Sequence, residues 1–304
     1  MLDMAFASNL GYLMNKRNIF SFLIAITGML MVLISGYYLF LNPSQTPIQR
    51  VFVASAHGLA QTDPVPPINI DVPNLGVIST PIPILMFHYI RSVSKADDPL
   101  GYDLSIEPTL FAEYLDRLVE AGYKTITPAQ FLTGKVPTNS IILSFDDGYL
   151  DFYQVAYPLL SQRKMTAVIF AISGFLDDKD GRYLTRTQVK TLSDAGIEIG
   201  SHTVDHANLA EIDTKRIQDE LLISRQVLEQ ITGKRVGAIA YPSGKYNDDT
   251  LRLADYVGYS FGVTTEPGIA LPTSNKLELP RIRVRGGESA EDLLSSIKRL
   301  TTVD

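Results

Sequence analysis

The chain has 304 residues, 45% of them hydrophobic, so it can bury a sizeable core in one large domain or two small ones. Its formal net charge of −6 argues against nucleic acid as a partner. It has no cysteine, which excludes disulfides and thiolate metal sites, and its four histidines are His57, His88, His202 and His206.

The first predicted element is a transmembrane helix. Residues 19–41 form a run of 23 residues without a charge. At 1.5 Å per residue this helix is about 34 Å long, enough to cross a bilayer. Lys16 and Arg17 precede it, whereas Arg50 is the only basic residue soon after it. The positive-inside rule therefore predicts that residues 1–18 are cytoplasmic and that the rest is extracytoplasmic, at the cell surface or in the periplasm.

A cleaved signal peptide is the alternative interpretation of this segment. Its apolar core would be shorter, and the small-residue site at residues 54–56 lies far downstream for cleavage. An uncleaved single-pass anchor is therefore favoured. Residues 42–81 are punctuated by prolines and predict a semi-extended linker, so the folded domain is expected to cover residues 82–304.

Strands and helices alternate through the predicted domain. The predicted strands are residues 83–90, 140–145, 166–172, 197–202, 236–242, 259–265 and 279–284. The predicted helices are residues 108–122, a short one opening at 127–128, one ending near 163, then 185–196, 213–231, 247–257 and 289–300. Hairpin signals are almost absent, which indicates a parallel sheet. About 220 residues favour a (β/α) barrel of seven or eight units over an open sheet.

Polar side chains follow several predicted strands, at the end where parallel architectures form their sites. His202 and His206 are four residues apart after one strand. Two imidazoles and one carboxylate are a common ligand set for Zn²⁺ or another divalent transition ion. Two surface histidines on a loop are the alternative.

The segment SFDDGY places Asp146 and Asp147 side by side at the end of another strand. Adjacent carboxylates repel each other unless a positive charge lies nearby. Asp147 could instead cap the following helix, but that would account for one carboxylate only. A cation accounts for both: one aspartate can bind it while the other takes a proton from water.

The motifs SFDDGY and SHTVDH, in this order, resemble those of the polysaccharide deacetylase family, also called the NodB-homology or carbohydrate esterase family 4 domain. The segments ILMFHYI, AYPSGKYN and LPRIRV are similar to its branch acting on poly-β-1,6-N-acetylglucosamine. The resemblance covers roughly residues 82–284. It implies a distorted (β/α)7–8 barrel of the NodB-homology type, here preceded by one transmembrane helix.

The resemblance also implies roles for individual residues. Asp146 corresponds to the general base, while Asp147, His202 and His206 correspond to the ligands of one divalent ion. Zn²⁺ is expected, and Co²⁺, Ni²⁺ or Fe²⁺ would also fit. The backbone N–H of Ser243 corresponds to an oxyanion-hole donor.

Two departures from the family pattern lead to further predictions. The third motif commonly begins with an arginine that orients the base, and Ala240 stands there in this chain. Arg281 is the candidate for the missing charge and Arg283 the next; Arg281, Arg283 and Arg285 would share one face of a strand. Most family members also carry a C-terminal histidine as general acid, but no histidine follows His206 in this chain and His57 lies in the predicted linker. His88 is therefore the candidate general acid, and a buried structural histidine is the alternative.

The expected function is hydrolysis of N-acetyl groups on a surface or extracellular polysaccharide, with poly-β-1,6-N-acetylglucosamine favoured. The alternatives are a chitooligosaccharide or peptidoglycan deacetylase, O-deacetylation of another glycan, and an inactive glycan-binding module. A metal phosphohydrolase fits less well, because it would favour more ligands and more positive charge. Tyr89, Phe145 and Tyr149 are expected to line the cleft. Expected partners are the polysaccharide, the membrane, and proteins of polysaccharide synthesis or export, but no nucleic acid.

Overall fold

A computed structural model describes residues 81–301, so the predicted membrane anchor and nearly all of the predicted linker lie outside the described residues. Within that range no helix combines the length and the apolar character needed to cross a bilayer. The strands are β1 (Ile84–Phe87), β2 (Tyr89–Ile90), β3 (Ser105–Ile106), β4 (Lys124–Thr125), β5 (Ser140–Phe145), β6 (Val168–Ala171), β7 (Glu198–Ser201), β8 (Ala238–Ala240), β9 (Phe261–Pro267) and β10 (Leu279–Arg283).

Seven of these strands close into a parallel barrel. The order around it is β1, β10, β9, β8, β7, β6 and β5, and β5 pairs with β1 to complete the ring. Leu85 of β1 pairs with Ile282 on one side and Leu143 on the other. Strand β4 pairs parallel to β5 outside the ring, and β2 and β3 form a separate parallel pair. The predicted barrel is therefore confirmed, with seven strands in its ring.

Helices surround the barrel. They are α1 (Pro99–Tyr102), α2 (Pro108–Glu120), α3 (Pro128–Leu132), α4 (Tyr157–Gln162), α5 (Arg186–Asp194), α6 (Thr214–Thr232), α7 (Asp248–Val257) and α8 (Ala290–Thr301). Capping chemistry explains several boundaries. The side chains of Thr127, Thr185 and Asn247 each accept from the backbone N–H three residues later in a capping box. Gly233 and Gly258 end α6 and α7 in the left-handed conformation.

The alternation of side chains along β5 separates two environments. Ile142 belongs to a buried cluster inside the barrel, whereas Leu143 and Phe145 belong to the larger cluster between the barrel and the helices. Residues 142, 144 and 146 share the inner face, because side chains alternate along a strand. Apolar residues fill the barrel first, and Ser144 and Asp146 follow toward the carboxyl end.

Two predicted elements differ from the structure. The predicted strand over residues 83–90 is interrupted at His88, because β1 stays in the barrel while β2 leaves it to pair with β3. The segment after Phe145 begins with a π-helix, Phe152–Ala156, before α4. Pro158 cannot donate a backbone hydrogen bond, which disturbs the regular ladder there. The short elements α1, β3 and β4 were not predicted, because each has only two to four residues.

Candidate active site at the carboxyl end of the barrel

A buried ion pair lies at the carboxyl end of the barrel, between the end of β5 and β10. The guanidinium of Arg281 donates to both carboxylate oxygens of Asp146, with N–O distances of 2.8 and 2.7 Å. Arg281 is 0% exposed and Asp146 is 3% exposed. The guanidinium also donates to the Thr264 carbonyl at 2.8 Å and to the Ser144 hydroxyl at 3.2 Å. Arg281, which the sequence suggested as the charge beside Asp146, therefore binds that carboxylate through two parallel hydrogen bonds.

The ion pair fixes the charge of Asp146. Burial opposes ionisation, but the charge and hydrogen bonds of Arg281 outweigh it and hold the pKa of Asp146 well below its usual range. The carboxylate is therefore ionised at neutral pH and can accept a proton.

Asp147, His202 and His206 converge beside this pair. The Nε2 atoms of His202 and His206 lie 3.3 and 3.5 Å from the same Asp147 oxygen, Oδ1. One potential ligand atom from each of the three residues lies within 4.8 Å of the others. The three predicted ligands, which come from the ends of β5 and β7, are thus brought together at one point.

The tautomer of His202 makes this cluster suitable for a cation. Its Nδ1 lies 2.7 Å from the carbonyl oxygen of Ala240, which can only accept, so Nδ1 carries the proton. In the neutral ring the lone pair of Nε2 then faces the Asp147 oxygen. Burial lowers the pKa of His202, but the Asp147 and Asp146 carboxylates raise it above the ordinary value. The Nε2 lone pair and the carboxylate oxygen repel each other unless a proton or a divalent cation lies between them. Two imidazole nitrogens and one carboxylate oxygen are ligands that suit a transition metal.

Strained backbone is concentrated around this cluster. Asp147, Thr203, His206 and Ser243 adopt positive φ angles of 71°, 67°, 57° and 53°. Such angles cost a non-glycine residue roughly 1–2 kcal/mol each and are common at functional sites. Gly148 follows with φ 75°, and a Cβ there would lie 3.1 Å from the Cα of Ala171. Any other residue would meet both a close contact and an unfavourable backbone angle, so glycine fits this turn best.

Glu220 of α6 supports the loop that carries the two histidines and was not predicted from the sequence. Its Oε2 accepts from the backbone N–H groups of Val204 and Asp205 at 2.8 and 3.0 Å, and the side chain is 1% exposed. Arg216 lies 2.6 Å from its other oxygen. The available signal was a carboxylate on the apolar face of α6, three residues after the buried Ile217.

His88 lies near the same Asp146 carboxylate that Arg281 binds. Its Nε2 is 4.0 Å from Asp146 Oδ2, and the side chain is 14% exposed. Burial lowers the pKa of His88, and the Asp146 carboxylate only partly opposes this. The predicted acid candidate is therefore close to the predicted base and reachable from solvent.

Ser243 follows β8 in a short 3₁₀ turn, Pro242–Gly244, and is exposed. The N–H groups of Gly244 and Lys245 donate to the carbonyls of Tyr241 and Pro242. Among residues 81–301 the N–H of Ser243 has no such backbone acceptor. The predicted donor is thus available for a ligand.

The predicted aromatic wall is only partly correct. Tyr149 stacks on Tyr89 with 3.7 Å between ring centroids and on Tyr183 with 5.2 Å. The Arg91 guanidinium lies 3.7 Å from the outer face of Tyr89. Phe145 is wrong as a wall residue: it is 0% exposed and packs among the helices, because its position on β5 points out of the barrel. Because the ring faces cover one another, the stack exposes mainly ring edges, not open faces, to the site.

Comparisons with known proteins agree with these motifs. A family model described as polysaccharide deacetylase matches residues 133–262. YxkH of Bacillus subtilis (strain 168), provisionally named a polysaccharide deacetylase, is 37% identical over 213 residues, covering 68% of this chain and 73% of that protein. The poly-β-1,6-N-acetyl-D-glucosamine N-deacetylase of Staphylococcus aureus (strain MRSA252) is 25% identical over 261 residues, covering 78% and 88%.

A solved structure supports the same assignment. The Streptococcus pyogenes deacetylase PplD in complex with acetate superposes with a TM-score of 0.67 and 33% identity, covering 71% of this chain and 97% of that one. The barrel, the motifs and these similarities together establish that the chain belongs to the polysaccharide deacetylase family, hydrolases that cleave amide bonds of acetylated polysaccharides.

Proposed function

We propose that the protein is a metal-dependent N-deacetylase acting on poly-β-1,6-N-acetylglucosamine outside the cytoplasm. The observation that carries the metal dependence is the convergence of Asp147, His202 and His206 beside the ionised Asp146. The choice of glycan is supported by the 25% identical Staphylococcus aureus relative, whose name gives that polymer. The N-terminal apolar run supports membrane attachment and access to a polymer outside the cell.

The residues of this chain divide the reaction between them. Asp147, His202 and His206 would hold a divalent ion, Zn²⁺ in the first place, which when bound would supply Lewis acidity to a carbonyl and to water. Asp146 accepts a proton from the water that attacks the acetamide carbonyl, and Arg281 holds its carboxylate in place. The N–H of Ser243 donates to the oxyanion that develops, a contact worth about 3–4 kcal/mol in comparable sites.

His88 completes the proposed reaction as the general acid. When the carbon–nitrogen bond breaks, the leaving nitrogen needs a proton, and acetate and a free amine are the products. His88 lies 4.0 Å from Asp146, so one substrate group can contact both. The Tyr89, Tyr149 and Tyr183 stack closes one side of the site and contributes polar ring edges to it.

The glycan is tested by comparing two linkages. The purified full-length protein is given β-1,6-linked and β-1,4-linked N-acetylglucosamine oligomers of equal length, with and without added Zn²⁺, Co²⁺ or Ni²⁺. Metal-dependent acetate release that is faster on the β-1,6 oligomer supports the proposal. Release confined to the β-1,4 oligomer would instead assign a chitooligosaccharide deacetylase, and release from peptidoglycan alone would assign that polymer.

A further inference from the structure

Four arginines border one cavity beside the site, namely Arg281 and three others that do not pair with Asp146. A cavity of about 570 Å³ is bordered by Arg283, Arg285 and Arg299, together with the hydroxyl-bearing residues Thr265 and Ser296. Arg283 is half-buried at the end of β10, whereas Arg285 and Arg299 are exposed. The sequence placed Arg281, Arg283 and Arg285 on one face of a strand, and of these three Arg281 is the one that pairs with Asp146.

Within the described residues, Arg283, Arg285 and Arg299 differ from most other arginines because no carboxylate oxygen is found within 4.0 Å of their guanidinium groups. Nine of the thirteen arginines within residues 81–301 lie within 4.0 Å of a carboxylate oxygen. Of the remaining four in that range, three are Arg283, Arg285 and Arg299. The fourth, Arg235, donates to the carbonyl of Gly258 elsewhere on the surface. Unpaired arginines are thus concentrated at this one cavity.

The cavity adjoins the candidate active site. Arg281 and Arg283 are two residues apart on β10, so their side chains leave the strand on the same side. Arg281 itself borders the cavity. Burial is the main reason that the pKa of His88 is lowered, and the positive charges of Arg281 and Arg283 add to this effect. A substrate with its acetamide beside Asp146 could therefore extend a neighbouring group toward Arg283.

The charge balance of the cavity favours an anion. Glu288 is the one carboxylate among the residues that border it in the described part of the chain, and its side chain accepts from the Arg285 backbone N–H rather than from a guanidinium. Burial and the charge of Arg281 lower the pKa of Arg283, which means that the charged form of Arg283 is destabilised and would be stabilised by a bound anion. Guanidinium groups bind carboxylate and phosphate through paired hydrogen bonds, whereas a neutral sugar offers no counter-charge.

We propose that the cavity lined by Arg283, Arg285 and Arg299 binds an anionic substituent, a carboxylate or a phosphate, on the glycan that is deacetylated at Asp146. This inference rests on the proposed deacetylase activity but not on the choice of glycan: poly-β-1,6-N-acetylglucosamine itself is neutral, so the substrate would be an acidic glycan or a polymer that carries an added acidic substituent. The cavity would then select where along a polymer the acetyl group is removed.

Binding is tested without turnover. Calorimetry of the full-length protein at low salt is performed with inorganic phosphate and, separately, with glucuronate. We expect at least one anion to bind and the Arg283→Gln/Arg285→Gln double variant to weaken it by about tenfold or more, the size of one lost charge-assisted hydrogen bond. Arg235→Gln, which removes an unpaired arginine outside the cavity, should bind as the wild type does. The preferred anion distinguishes a phosphorylated from a carboxylated glycan.

Turnover gives the second readout. The ratio of kcat/KM for an N-acetylglucosamine disaccharide carrying a carboxylate or phosphate to that for the neutral disaccharide should be about ten or more at low salt. Salt should reduce this ratio, and the double variant should bring it close to one. Absence of anion binding, or binding that persists unchanged in the folded double variant, would overturn the inference. Anion binding without acetate release from any substrate would count against the deacetylase function instead.

Discussion

Arg281 and Asp146 form a bidentate ion pair, with N–O distances of 2.8 and 2.7 Å, sealed inside the carboxyl end of the barrel. The arginine reaches Asp146 from β10, whereas Ala240, at the end of β8, has no side chain that could do so. The pair gives the buried carboxylate a fixed orientation and a charge that survives at neutral pH.

The first prediction concerns this pair. Arg281→Gln leaves Asp146 buried without a counter-charge, so the free energy of unfolding should fall by about 3–5 kcal/mol at pH 7. The pKa of Asp146 is depressed in the folded protein, so its contribution to stability is present above the unfolded pKa and is lost as the pH falls. Removing Arg281 should therefore raise the pKa of Asp146 and move the acid limb of the pH–rate profile toward neutral pH.

The matched control for that experiment is Arg281→Lys, which keeps the charge but not the fork. It should retain more stability than Arg281→Gln and shift the acid limb less. Urea unfolding and a pH profile of acetate release measure the two effects. An acid limb at the same pH in all three proteins would contradict the orienting role of Arg281.

The second prediction concerns His88. His88→Gln should lower kcat by about 10²–10⁴-fold while leaving metal content unchanged, because an acid but no ligand is removed. An acid must be protonated, and burial lowers the pKa of His88. The wild-type kcat/KM should therefore fall as the pH rises through a value below the ordinary 6.5. A variant that keeps both its rate and this alkaline limb would exclude His88 as the acid.

The third prediction concerns Glu220. Glu220→Gln weakens the acceptor that holds the N–H groups of Val204 and Asp205, between the two histidines. Groups that orient metal ligands from outside the ligand set typically contribute 10–100-fold to metal affinity, so a loss of up to about this size is expected. Competition with a chelator measures it. The control is Asp219→Asn, which removes the neighbouring carboxylate that pairs with Lys215. Equal metal affinity in the two variants would contradict the supporting role.

The fourth prediction concerns Asp151, whose Oδ2 accepts from the Ile90 N–H and ties the first motif to β2. Burial raises its pKa to about 6, and within the described residues its Oδ1 has no partner. A raised pKa means that the folded protein binds the proton more tightly than the unfolded chain. The resulting stability is complete below about pH 4 and is lost as the pH rises through about 6, by about 3 kcal/mol in all.

Asp151→Asn should remove this component, so the free energy of unfolding should vary less between pH 4 and pH 7 than in the wild type. Asp249→Asn, at an exposed position at the start of α7, serves as the control and should keep the wild-type slope. Denaturant titrations at several pH values give the slopes. A wild-type slope in Asp151→Asn would show that the carboxylate is already solvated.

The sequence predicted the barrel because its strands are short apolar runs separated by well-capped helices. SIILSF and VIFA are buried on both sides, as parallel strands must be. The polar residues after these runs were then expected on one rim. Closure by the pairing of β1 with β5 depends on shear and register, which no local pattern encodes. The interruption at His88 likewise depends on β3, a two-residue partner too short to be recognised.

Site residues could be predicted where a sequence motif falls at the end of a predicted strand. They were missed where their position depends on tertiary packing. Asp147, His202 and His206 were expected together and lie together. Phe145 was wrongly expected in the cleft, because which side chains of β5 face into the barrel depends on how the strand is oriented in the closed ring. Glu220 was missed because its partner N–H groups belong to a loop 15 residues earlier in the chain. The roles of these residues in catalysis stay predictions.

The central proposal is that Asp146 acts as the base beside a metal centre whose ligands are Asp147, His202 and His206. The measurement is acetate release from β-1,6-linked N-acetylglucosamine oligomers by wild type and Asp146→Asn, with the metal content of each protein determined in parallel. We expect Asp146→Asn to bind metal as the wild type does and to lose about 10²–10⁴-fold in kcat. Release at the wild-type rate by metal-loaded Asp146→Asn would contradict the account.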